Sequence, residues 1–177
     1  MSTTATNWFS GKSEAVFFAD GNFDAKAPDN VINIATPASD SKKRKILIVD
    51  DEPDIRTMLR DLLQLEGYTV SEAADGVFGI DYLRASSRAL IVLLDYKMPR
   101  MNGEEVLQVV MADPQLAHRH AFIFVTANLP SFSPALHQLL ADAAIAVVQK
   151  PFQVMAILDE IERAIVRLSA SPGPSAP

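Results

Sequence analysis

The feature that most constrains this chain is a repeated change of hydrophobic period. Five short strand-type runs, at 45–49, 68–71, 89–94, 122–125 and 145–148, alternate with segments whose apolar residues recur every three to four positions. Four of the runs are continuously apolar, as strands covered on both faces require. The run at 68–71 instead alternates, Tyr68 and Val70 against Thr69 and Ser71, which suits an edge strand. After Pro53, a residue suited to a first helical turn, Ile55, Met58, Leu59, Leu62 and Leu63 line one helical face. Val154, Ile157, Leu158, Ile161, Ile165 and Leu168 do the same near the other end, and shorter helices fit 76–84, 103–111 and 134–141. Five βα units predict an α/β fold, a five-stranded parallel sheet with helices on both faces, because right-handed crossovers put them there. The edge-like second strand favours strand order 2-1-3-4-5.

Composition narrows the class. The chain has 177 residues, 49% hydrophobic, enough for one domain with a sizeable core. No run approaches the roughly 20 apolar residues of a membrane helix, and no basic segment followed by an apolar run opens the chain. Cysteine is absent, which removes disulfides and thiolate metal sites and fits a reducing, cytoplasmic setting. Residues 1–44 carry as many acids as bases, so the net charge of −6 falls on 45–168. An acidic folded part argues against a nucleic-acid partner. Residues 1–44 show no sustained period and read as an irregular extension. Its aromatics, Trp8, Phe9, Phe17, Phe18 and Phe23, fit either an incidental tail or a short docking segment. Residues 169–177, rich in Ser, Pro, Gly and Ala, read as a disordered tail. No output domain is expected after Leu168.

Ligands of an open parallel sheet bind beyond the carboxyl ends of its strands, near the switch in strand order. The first strand runs into Asp50-Asp51, the third into Asp95, the fourth into Thr126-Ala127 and the fifth into Lys150-Pro151. In the expected order the first and third strands are neighbours, so three carboxylates should meet at one edge. Two like charges about 4 Å apart cost on the order of 4 kcal/mol at an effective dielectric near 20. Such a cluster calls for a proton or a cation; with oxygen donors only, the fitting cation is hard, Mg²⁺ first among them. A divalent ion, the Lys150 ammonium, the Thr126 hydroxyl and a carboxylate together suit a phosphoryl group, whose transfer depends on positioning and charge neutralisation, and the carboxylate can be the nucleophile. Read singly, Asp50 and Asp51 also fit helix caps before Pro53, Asp95 a surface turn, Lys150 a solvated lysine and Asn102-Gly103 plain turn chemistry. His118 and His120 flank Arg119 in what reads as a polar loop, and His137 falls in a helical stretch; none has metal-ligand spacing.

Four segments, VDDEPDIR, LLDYKMPRMNGEEVL, FVTA and VVQKPF, resemble in order the signature segments of the receiver (response regulatory, CheY-like) domain of two-component response regulators, over about residues 44 to 168. The resemblance implies that Asp95 accepts phosphate from a histidine kinase or histidine phosphotransfer protein. Asp51, Asp95 and the backbone carbonyl of Lys97 would hold Mg²⁺, with Asp50 acting through water. Thr126 and the Ala127 amide would meet the phosphoryl group, Lys150 would contact one of its oxygens, and the Lys150–Pro151 bond would be cis. The expected function is a cytoplasmic, single-domain response regulator of a phosphorelay. It would signal through an unknown protein partner, without nucleic acid or membrane, and catalyse only its own phosphorylation and dephosphorylation.

The chain also departs from the pattern. Val147 stands where the family usually has an inward-turning Tyr or Phe, and Ala143-Ala144 where it commonly has Gly-Ala. Lys97 and Asn128, two past the acceptor and two past Thr126, border the path of the water that would remove the phosphate. Two other functions compete. A phosphorylation-independent pseudo-receiver or scaffold would tolerate Val147. An aspartate-nucleophile phosphatase would want a second acid where Lys97 stands.

Overall fold

The computed structural model describes residues 44–127 and 132–170. The expected extension up to position 43, its aromatics, Asn128 and the tail from 171 onward lie outside the described residues. Five strands, β1 (Lys45–Val49), β2 (Thr69–Ala73), β3 (Leu90–Asp95), β4 (Ala121–Thr126) and β5 (Ala146–Gln149), pair in parallel in the order 2-1-3-4-5. Helices α1 (Pro53–Leu65), α2 (Gly76–Ala85), α3 (Gly103–Met111), α4 (Pro114–Arg119), α5 (Pro134–Asp142) and α6 (Val154–Ala170) fill the crossovers and the end. The predicted sheet and its strand order are therefore present.

Three local expectations are corrected. β2 begins at Thr69 and runs on to Ala73, because its pairing with β1 carries Glu72 and Ala73 into register with Ile48 and Val49. The supposed polar loop at 118–120 is largely helix: Asp113 accepts hydrogen bonds from the Gln115 and Leu116 amides, and Pro114 opens α4. His118 and Arg119 end that helix and His120 caps it, buried. Ser169 and Ala170, assigned to the tail, belong to α6, where the Ser169 hydroxyl donates to the Ile165 carbonyl.

The period-2 alternation sorts each central strand between two cores. Ile46, Ile48, Ile91, Leu93, Ile123 and Val125 face Leu59 and Leu63 of α1 and Ile157, Ile161, Ala164 and Ile165 of α6. Leu47, Val49, Val92, Leu94, Phe122 and Phe124 face side chains from α2, α3, α4 and α5. Burying a side chain such as Leu63, fully shielded, contributes about 1.5–3 kcal/mol. With both faces covered, the carboxyl ends of the strands are where loops can bring polar groups together.

Candidate functional site

Strand register places the first two acids. Val49 pairs with Leu94, so the residues that follow, Asp50 and Asp95, lie side by side at the carboxyl edge. Both are buried. Lys150, one residue past β5, donates its backbone N–H to the Thr126 carbonyl at 2.7 Å, and its side chain runs back across β4. Its ammonium lies 2.7 Å from Asp50 Oδ2, 2.7 Å from Asp95 Oδ1 and 3.7 Å from Glu52 Oε1. The Lys150–Pro151 peptide bond is cis. The remaining carboxylate oxygens accept from backbone amides: Asp50 Oδ1 from Glu52 at 2.9 Å, Asp95 Oδ2 from Lys97 at 2.8 Å. Each acid thus closes its own two-residue turn, which aims it at the lysine.

The electrostatics follow from burial and pairing. Lys150 is held above the usual lysine range: burial favours its neutral form, but the Asp50 and Asp95 carboxylates on either side outweigh it. Asp95 is pushed up, first by burial and further by Asp50, with Lys150 and the Lys97 amide pulling back. The two partners point in opposite directions energetically. The ion pair favours charged Lys150, while for Asp95 burial and the neighbouring Asp50 outweigh it, so its ionised form remains less favourable than in water.

Thr126, the last residue of β4, is buried, and its partner across the strand pair is Gln149, next to Lys150. Ala127 follows it, exposed. Asp51 and Lys97 are also exposed, and they line an open depression of about 500 Å³ with Tyr96, Met98, Pro99 and Asn102. The expected convergence of three carboxylates is corrected here. Asp50 and Asp95 share one ammonium, Asp51 stands at the rim, and among the described residues no three acidic or imidazole side chains form a ready-made metal cage. Lys150 stands in the third place: its ammonium relieves the buried acid pair, where another carboxylate would add to the repulsion. The donor set still fits a hard cation with few protein ligands. Asp51 faces the same depression as the Lys97 segment, every candidate donor is oxygen, and two carboxylates with one carbonyl leave room for water.

Further residues shape the site, and one of them, Arg56, escaped the sequence reading. Arg56 donates from Nη1 to the Asp50 carbonyl at 2.7 Å and lies 3.5 Å from Glu72, which ties the acidic turn to β2. Nothing in its helical spacing signals this. Gly103 admits α3 against the end of β3: a Cβ there would stand 2.3 Å from the Asp95 carbonyl oxygen. The adjacent Asn102 forms a full capping box with Glu105, a pattern the sequence does display as Asn-x-x-Glu. Val147 is partly exposed on the β5 edge, in the switch position noted above.

Comparison with known proteins agrees with this fold. The family model described as the response regulator receiver domain matches residues 46–162. The chain is 33% identical to the chemotaxis protein CheY of Pseudomonas aeruginosa over 130 residues, which is 71% of this chain and 98% of that protein. It is 33% identical to the response regulator MprA of Mycobacterium sp. over 133 residues, 75% of this chain and 55% of that protein, so it matches about half the length of such relatives. Among solved structures, the receiver domain of a sensor histidine kinase from P. aeruginosa, described with magnesium coordinated in its active-site cleft, superposes with a TM-score of 0.59 at 22% identity, covering 70% of this chain and 98% of that one. Among the described residues, no helix is long and apolar enough to cross a membrane. The chain belongs to the response regulator receiver domain family of two-component signalling.

Proposed function

We propose that this chain is a single-domain response regulator of a phosphorelay, with residues 45–168 as its receiver, acting in the cytoplasm. In this reading Asp95 takes a phosphoryl group from the phosphohistidine of a kinase or phosphotransfer protein and the chain signals by protein contact. The observation that carries the reading is the Lys150 ammonium held 2.7 Å from both Asp50 and Asp95 at the strand-order switch of the sheet. A carboxylate oxygen of Asp95 attacks phosphorus and forms a P–O bond. The P–N bond breaks, and its electron pair returns to the imidazole nitrogen. Lys150 offsets charge on the phosphoryl oxygens, while Thr126 and the Ala127 amide stand at the end of the adjoining strand to meet them. Asp51, Asp95 and the Lys97 carbonyl would hold Mg²⁺, whose contribution is to neutralise the phosphoryl oxygens. The magnesium described for the related receiver supports that choice. The CheY relative, matched over 98% of its length, supports a receiver that acts alone, and the acidic surface supports a protein rather than nucleic-acid partner.

Incubation with acetyl phosphate and Mg²⁺ tests the reading. Intact mass should show a single phosphate adduct that is absent without Mg²⁺ and absent in Asp95→Ala. A folded wild-type protein with no adduct would favour the second reading, a phosphorylation-independent scaffold, which Val147 on the exposed β5 edge supports. Lys97, exposed at the rim, is proposed to set the lifetime of the acyl phosphate. Lys97→Asn should change the dephosphorylation rate severalfold in a chase after donor removal, and an unchanged rate removes Lys97 from that role.

A further inference from the structure

The loop between β3 and α3 carries Lys97 and lines the depression, and its outermost anchor is unusual. Arg100 has φ 66°, a left-handed conformation that costs a residue with a Cβ about 1–2 kcal/mol and that glycine adopts freely. Its side chain accounts for an arginine there. The guanidinium pairs with Asp75, a carboxylate whose side chain is 4% exposed, and lies 4.7 Å over the Phe78 ring. Asp75 also caps α2 by accepting from the Phe78 amide at 3.0 Å, so one buried acid fixes both the helix start and the loop. The backbones meet at the same place: a Cβ on Gly76 would stand 2.5 Å from the Met101 carbonyl oxygen. At its base the loop is closed by the Gly103 amide on the Tyr96 carbonyl at 2.9 Å, which leaves 97–102 as an excursion with Arg100 near its tip.

We propose that Arg100 is a positioning residue for the acceptor site. By clamping the loop to the start of α2 it fixes the Lys97 peptide, whose N–H orients Asp95 and whose carbonyl completes the oxygen donors at the rim. The ion pair, half-exposed at Arg100 and buried at Asp75, and the ring contact offset the left-handed backbone, and their product is a rigid rim. The inference rests on Asp95 being the phosphoacceptor.

The test uses the full chain and three variants. Arg100→Gln keeps the Cβ and removes the charge. Asp75→Asn leaves an oxygen to cap α2, removes the charge that Arg100 pairs with, and changes no residue of the loop itself. Arg100→Lys keeps the charge without the planar fork. In metal-free protein, amide exchange at Lys97 and Gly103 should speed up about tenfold in both Arg100→Gln and Asp75→Asn, with the central strands unchanged, as local opening requires. The acetyl-phosphate adduct should form about tenfold more slowly in both, with part of the rate recovered in Arg100→Lys. Exchange and adduct rates within twofold of wild type in either of the first two variants overturn the inference, as does faster exchange spread evenly over the sheet. Failure of the acceptor reading would look different: wild type itself would form no adduct on Asp95.

Discussion

Asp95 shows what burial beside a second carboxylate does to an acid. Its carboxyl is pushed up by burial and by Asp50, more than Lys150 pulls it back, so the ionised form burdens the fold at neutral pH. The sign follows: an acid raised in the folded state adds stability only as pH falls through its folded value. Asp95→Asn, which leaves Lys150 its bond to Asp50, should therefore raise the melting temperature at pH 7. A lower melting temperature would show that Asp95 is structural. His120 titrates in the opposite sense. Its Nδ1 accepts from the Leu90 amide at 3.2 Å, so the neutral ring carries its proton on the buried Nε2. Burial first, then Arg119, lowers it from 6.5 to about 4, against the Leu83 backbone, which acts in the opposite sense. The unfolded chain binds this proton near 6.5 and the folded chain only near 4. The contribution is thus full above pH 6.5 and lost as pH falls towards 4, up to about 3 kcal/mol. His120→Gln, which keeps an acceptor for Leu90, should flatten the loss of melting temperature between pH 7 and pH 5; an unchanged slope would show that other groups drive it.

Helix ends show how the same device is built from different residues. Both α1 and α5 end in a Schellman motif. In α1 the Gly67 and Tyr68 amides return to the Gln64 and Leu63 carbonyls; in α5 the Ala144 and Ile145 amides return to Ala141 and Leu140. The left-handed residue is Gly67 in the first, at φ 87°, and Ala144 in the second, at φ 50°. Glycine carries no steric cost there and alanine does, so Ala144→Gly should stabilise the protein by about 0.5–1 kcal/mol, read as a higher urea midpoint. A lower midpoint would mean that glycine's extra freedom in the unfolded chain outweighs the relieved backbone. These ends also explain what the sequence revealed. Long periodic helices such as α1 and α6 are legible because packing writes a stripe into them. The six-residue α4 is too short for a stripe, and its only signal is the Asp113-Pro114 pair at its start. Arg100 was illegible for a related reason: a left-handed arginine contradicts local preference, and the acid that holds it lies 25 positions earlier in the chain.

At the scale of the molecule, the strand order explains why residues so far apart in sequence form one site. Order 2-1-3-4-5 makes β1 and β3 neighbours, so acids 45 positions apart become adjacent, and Lys150 reaches them across β4. That much was readable from apolar runs and from the polar residue following each. What was not readable is that Lys150 would sit between Asp50 and Asp95, with Asp51 left at the rim; ion-pair geometry depends on side-chain paths that periodicity does not encode. The account predicts that only the carboxylate held jointly by Lys150 and the Lys97 amide takes the phosphate. Borohydride reduction of the phosphorylated protein, followed by peptide mapping, tests this directly, because reduction converts an acyl-phosphorylated aspartate to homoserine. Conversion at Asp95 alone is the predicted result; conversion at Asp50 or Asp51, or none in a protein that carries phosphate, would contradict it.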